Sequence, residues 1–90
     1  MVYVTAVHMS ATGARHEHIE SVRWTDPADG KNGQSTRAQM VEFITGNGIA
    51  RVRDRVGNDI NVGVVNATPP FIRTYADGVW SDNLLALPRF

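Results

Sequence analysis

The three histidines are the residues with the most chemistry to offer. His16-Glu17-His18 sets two imidazoles at i and i+2, which on a strand point to the same face and can ligate a metal jointly. If the first hairpin pairs Met9 with Glu17, His8 falls opposite His18. His8, His16 and His18 then supply the ligand count of a catalytic zinc centre. The plainer alternative is the solvated start of a strand, since no fourth ligand or supporting carboxylate is identifiable.

Two other groupings depend on arginine. Arg51, Arg53 and Arg55 alternate along one strand, a basic stripe of the kind that tracks a phosphate backbone, with Arg15 and Arg23 as extensions. Asp59 and Asn61 across the hairpin would engage two of the three and leave an ordinary ion-paired surface. Arg73, Tyr75, Asp77, Trp80, Asp82, Asn83 and Arg89 concentrate the residue types that dominate binding hot spots. Their structural alternative is an Arg73–Asp82 ion pair while Trp80, Leu84, Leu85, Leu87 and Phe90 close the core. Left exposed, those apolar side chains would call for a protein partner or a homodimer through the C-terminal hairpin. Asp29-Gly30-Lys31-Asn32-Gly33 leads into a helix start that suits an anion, but the order of a phosphate-binding P-loop is not met. Ser10, Ser21, Ser35 and Ser81 lack the context of a nucleophile elbow, so no catalytic residue is assigned.

Composition narrows the field. Ninety residues with nine Lys and Arg against nine Asp and Glu fit one small domain spanning 1–90 and exclude a multidomain enzyme. Eight of the nine cations are arginine, Lys31 being the exception, which suits fixed bidentate pairs. The neutral balance weighs against nucleic acid as a partner. The absence of cysteine removes disulfides, thiolate metal sites and cysteine nucleophiles. No apolar run approaches the roughly 20 residues that span a bilayer, and the start Met1-Val2-Tyr3-Val4-Thr5 lacks a signal-peptide pattern, so a cytoplasmic location is expected. No cofactor is called for.

The elements that must position these groups follow from periodicity and turn chemistry. Val2 to Met9 reads as a strand with Val2, Val4, Ala6 and His8 on one face and Tyr3, Thr5 and Val7 on the other. His18 to Thr25 is a second strand, bulged because Ile19 and Val22 are out of phase. Asp26 to Gly33 is a loop. Thr36 and Gln39 form a capping box for a helix with Met40, Val41 and Ile44 as its apolar stripe, ended by Gly46-Asn47-Gly48. A three-residue loop Val56-Gly57-Asn58 sets the next hairpin, with Val52 facing Val62, Arg55 meeting Asp59, Arg53 meeting Asn61 and Arg51 opposite Gly63. Pro69-Pro70 breaks the sheet, and Asp77-Gly78 makes a hairpin in which Tyr75 opposes Trp80 and Arg73 opposes Asp82. Residues 82–88 compete between that strand and a short helix capped by Asp82. The expected fold is α+β, a single small domain with the order β-β-α-β-β-β: one helix packed on an antiparallel or mixed sheet of about five strands.

Phe71-Ile72-Arg73-Thr74-Tyr75-Ala76-Asp77-Gly78, then Trp80-Ser81-Asp82-Asn83-Leu84-Leu85 and Leu87-Pro88-Arg89-Phe90, together with Val4-Thr5-Ala6-Val7, His16-Glu17-His18-Ile19 and Val22-Arg23-Trp24, resemble a family of short bacterial proteins catalogued as a domain of unknown function. The resemblance implies a small standalone domain and carries no ligand or catalytic residue with it. The sequence therefore points first to a noncatalytic binding module for a protein or ligand. Its alternatives are a nucleic-acid-binding domain using the arginine stripe and a metal-dependent enzyme using the histidines.

Overall fold

A computed structural model describes residues Met1–Phe90. The strands are β1 (Val2–Met9), β2 (Ile19–Thr25), β3 (Asn32–Thr36), β4 (Ala50–Arg53), β5 (Asp59–Val65), β6 (Phe71–Ala76) and β7 (Val79–Ser81), with helix α1 at Arg37–Thr45 and a 3-10 helical turn at His16–His18. They form one mixed sheet in the order β3-β2-β1-β4-β5-β6-β7. Only the β1–β4 pair is parallel. The class and the lone helix match expectation, but the strand count of about five is corrected to seven. No helix is long and apolar enough to cross a membrane.

Of the two further strands, β7 is the second arm of the expected Asp77-Gly78 hairpin and β3 is the one the sequence missed, so three strands precede the helix and four follow it, where two and three were expected. Asn32, Gly33, Gln34 and Ser35 have little β preference, yet β2 offers them a free edge, and Trp24 lies over Gly33 so closely that a Cβ there would come within 2.2 Å of its ring. The Trp24 indole Nε1 donates to Ser35 Oγ at 3.0 Å. Partner strand and ring together outweigh local propensity. The expected loop to Gly33 therefore shrinks to a turn closed by Asp26 N donating to Lys31 O at 2.7 Å.

Two register shifts reset β1 and β2. Val4 pairs with Trp24 and Ala6 with Arg23, leaving Thr5 bulged, while His8 pairs with Ser21 and Met9 with Ile19, leaving Glu20 bulged. Val4 and Val7, three residues apart, are consequently both in the core, as are Ile19 and Val22. The bulge expected in β2 is present, whereas the strict alternation expected in β1 fails for the same reason. The core comprises Val4, Val7, Ile19, Val22, Met40, Ala50, Val52, Val62, Ile72 and Leu84.

The capping box starts α1 as expected: Gln39 N donates to Thr36 Oγ1 at 3.2 Å and Thr36 N to Gln39 Oε1 at 2.8 Å. Met40 is the helix residue buried in the core, with Val41 and Ile44 packed beside it. At the far end Asn47, at φ 74°, supplies the left-handed position.

The β4–β5 register is two residues off the expected one: Arg51 pairs with Asn61, Val52 with Ile60 and Arg53 with Asp59. The loop is five residues, Asp54 to Asn58, because the Asp54 carboxylate accepts from Val56 N and Asn58 N, each at 2.9 Å, and Asp54 N donates to Asn58 O at 2.9 Å. A two-residue slip keeps each side chain on its face, so the inward valines are unaffected. The expected Arg55–Asp59 pair is lost, and Arg53 takes the place of Arg55.

After β7 the chain forms hydrogen-bonded turns, Leu85 N to Asp82 O at 3.1 Å and Leu87 N to Leu84 O at 3.2 Å, without becoming a helix. It then lies beside β1, where Val7 N donates to Pro88 O at 2.9 Å and Phe90 N to Val7 O at 3.1 Å. Leu84 is fully buried and pins this tail to the core.

Candidate functional site: the outer face of the sheet

Val52, Val62, Ile72 and Thr74 point inward, so alternation turns Arg51, Arg53, Asn61, Arg73, Tyr75 and Trp80 to the opposite face. Helix α1 buries Met40 with the inward set, and the outward face of β4–β7 carries no helix.

The β6–β7 hairpin presents its aromatics on this face. Asp77 at φ 52° and Gly78 at φ 78° form the tight turn, a geometry that matches the twist of the flanking strands. Tyr75 is opposite Trp80, their rings meeting edge to face with centroids 5.0 Å apart and planes at 69°. The indole leans over Gly63 of β5, where a Cβ would stand 3.3 Å from two ring atoms. Even so, Tyr75 remains 42% exposed and Trp80 37% exposed. An open depression of about 540 Å³ beside Tyr75 is rimmed by Asp54, Asp59, Asn61 and Asp77.

Beneath the rings the hairpin is fastened by polar contacts. Arg73 Nε donates to Ser81 O at 3.1 Å and its Nη2 to Asp82 Oδ1 at 3.0 Å. Thr74, fully buried, donates from Oγ1 to Ser81 O at 3.0 Å and accepts from Asn83 N at 3.2 Å. Asn83 Nδ2 donates to Ser81 Oγ at 2.9 Å. Arg73, Tyr75, Asp77, Trp80, Asp82 and Asn83 are thus brought together. Arg89 is not among them: its guanidinium binds Leu85 O at 2.8 Å and Leu87 O at 3.0 Å and knits the tail.

The arginine stripe is shorter than expected. Arg51 and Arg53 share the outer face, while Arg55 sits in the Asp54–Asn58 turn. Arg53 is already engaged, with Nε donating to Asp59 Oδ1 at 3.0 Å and its guanidinium 4.6 Å from the Tyr3 ring centre. Tyr3 OH donates to Asp59 Oδ2 at 2.7 Å. These contacts hold the Asp59 carboxyl below the ordinary carboxylate range, first through Arg53 and then through Tyr3, and the bond to Asp59 raises the Tyr3 phenol above its ordinary value of 10.0. Arg51 donates to Asn61 Oδ1 at 3.0 Å, and Arg23 stacks on Phe90 at 4.2 Å.

The expected three-histidine centre does not assemble. His8 opposes Ser21 instead of His18, and the His16–His18 segment winds into a 3-10 turn, which destroys the i, i+2 relation of a strand. His8 bonds through Nδ1 to Phe90 O and lies 3.7 Å from Glu20, while His18 Nδ1 accepts from Arg15 N at 3.1 Å. No group of three His, Asp or Glu side chains is placed to hold a metal. His16 alone turns inward and becomes a buried residue. Burial, and then the Arg73 charge, hold its imidazole below the ordinary value of 6.5 against the opposing pull of Asp82 and Glu17.

Sequence reasoning did not anticipate the part played by Tyr3 or by Gly63. Tyr3 reaches Asp59 only because β1 and β4 run parallel, with Tyr3 beside Arg51, and no local pattern encodes that pairing. The glycine within Val62-Gly63-Val64 was a readable hint, since glycine inside a strand often marks close approach of another group.

A family model described as a protein of unknown function, DUF3892, matches residues 3–88. No curated protein and no solved structure matches the chain.

Proposed function

Since the chain belongs to the DUF3892 family, whose function is not assigned, we propose from the surface itself that it is a noncatalytic binding module. It engages a protein or ligand through the outer face of the β6–β7 hairpin. The observation that carries this reading is the exposed Tyr75–Trp80 pair, 5.0 Å between centroids, on a sheet face without a helix. Rings held in one geometry by a tight turn lose little freedom when a partner covers them, and Tyr, Trp and Arg are the types that supply most binding energy. The rim of Asp54, Asp59 and Asp77, with Arg53 bound to Asp59, gives the surface both signs of charge. Mixed charge suits a protein or a small polar ligand better than a uniformly anionic backbone.

The test is affinity capture from cells that express the protein, with wild type, Trp80→Ala and Arg73→Ala immobilised side by side and their melting temperatures measured. A partner held by wild type and lost by folded variants supports the surface. Capture that both folded variants retain, or no capture by wild type, overturns it.

A further inference from the structure

His16 stands out as a buried side chain with an unused polar atom. The side chain is 9% exposed, and Nε2 is sealed from solvent without a hydrogen-bond partner. Buried polar atoms in folded proteins almost always have a partner, so an orphan asks for an explanation. The carboxylate oxygen Asp82 Oδ1 lies 3.8 Å from Nε2, too far for a hydrogen bond. That same oxygen lies 3.0 Å from Arg73 Nη2.

The three side chains differ in freedom. Asp82 is 74% exposed on its side chain and Arg73 33% exposed, so the carboxylate is able to swing while the imidazole is not. With His16 neutral and its proton on Nδ1, nothing at Nε2 competes for Asp82 and the guanidinium keeps it. Protonation of Nε2 creates a buried cation beside the Arg73 cation, and a buried charge without a partner is costly. Closing the gap from 3.8 Å to the roughly 2.8 Å of a charge-assisted bond requires only a short rotation of Asp82. Of the other charged groups nearby, Glu17 lies on the same turn and favours the protonated imidazole. Arg15 is held 3.8 Å from Glu17, and Arg37 of α1 donates to Glu17 O at 2.9 Å.

We propose that His16, Asp82 and Arg73 form a proton-operated latch: a proton on His16 Nε2 draws the Asp82 carboxylate off Arg73 and releases the guanidinium beside the Tyr75–Trp80 face. The latch joins the 3-10 turn after β1 to the far hairpin of the sheet. It stands without any partner, and only its consequence for binding rests on the function proposed above.

The test is an NMR titration of the intact chain from about pH 8 to about pH 5, which spans the histidine range. It follows the His16 ring, the Asp82 carboxyl carbon and the Arg73 side-chain nitrogens, with circular dichroism recorded at each point. Expected is one common midpoint for all three in a protein that stays folded. Asp82→Asn should shift the His16 midpoint down and abolish the Arg73 response, and Arg73→Gln should shift that midpoint up. A merely buried histidine would leave Arg73 silent. An unresponsive Arg73, a His16 midpoint unmoved by Asp82→Asn, or unfolding at the His16 midpoint overturns the latch. A latch that titrates as expected while partner capture ignores pH counts against the hairpin as binding surface and leaves the latch standing.

Discussion

The β4–β5 and β6–β7 hairpins each set an arginine against an aspartate, and each has a tyrosine on the same face, Tyr3 from neighbouring β1 and Tyr75 from β6, yet the two leave their tyrosines in opposite situations. In β4–β5 the Tyr3 hydroxyl donates to Asp59 while Arg53 binds the same carboxylate and covers the Tyr3 ring. In β6–β7 Arg73 binds Asp82, but Tyr75 meets Trp80 ring to ring, and both rings stay exposed. When the tyrosine joins the ion pair, every group has a partner within the molecule. When it pairs with another ring, area suited to a partner is left over, and the aspartate is free to answer to His16. The sheet therefore has a closed side at β4–β5 and an open one at β6–β7.

The sharpest way to break that contrast is from below. The open hairpin continues into a tail pinned by Leu84, so Leu84→Ala should cost about 2–5 kcal/mol in denaturant unfolding. Amide exchange in Ser81 and Asn83 should accelerate more than in β4–β5, and equal acceleration in the two hairpins would remove the distinction. Next comes Thr74→Val, which takes the acceptor from Asn83 N and the donor from Ser81 O in a buried setting. A loss of about 1–3 kcal/mol is expected in the same measurement, and a neutral result would mean the network contributes no stability.

Proton linkage distinguishes the two sides by pH window. His16 is held below 6.5 in the fold, so the unfolded chain takes up the proton first. Its contribution is fully present above about pH 6.5 and declines as pH falls through the folded titration. Asp59 is also held below its ordinary value of 3.8, but as a carboxylate that arrangement contributes above that value and is lost only in stronger acid. Urea midpoints collected across pH should show two separate losses, the upper one absent in a folded His16→Gln variant. A single acid transition in wild type would contradict the assignment. The smallest effect is expected from Asp59→Asn, an exposed change. Removing the carboxylate should lower the Tyr3 phenol titration toward 10.0, read by ultraviolet absorbance, with little change in melting temperature. An unmoved phenol would show that the closed network is not formed in solution.

Legibility in the sequence followed the range of the interactions. The Thr36–Gln39 box, the Asp77-Gly78 turn and the Tyr75–Trp80 opposition are set by neighbours within a few residues, and all three were readable. The histidine cluster and the Arg55–Asp59 pair were not correct, because each needed a strand register that bulges at Thr5 and Glu20 and the carboxylate of Asp54 altered. β3 was hidden for a related reason: its strand character is imposed by β2 and Trp24 and does not reside in Asn32–Thr36.

The chain's own sequence determined its α+β class, the place and start of its helix, and a C-terminal hairpin bearing aromatic rings, since caps, turns and alternating apolar residues act locally. Only the tertiary structure decided which side chains from elements distant in sequence meet across the sheet. The parallel β1–β4 pairing carried Tyr3 to Asp59, and the winding of His16–His18 carried one histidine to within 3.8 Å of Asp82. Those contacts join residues more than fifty positions apart. They exist because burying one shared core fixes every strand's register at once, a condition that no local pattern contains.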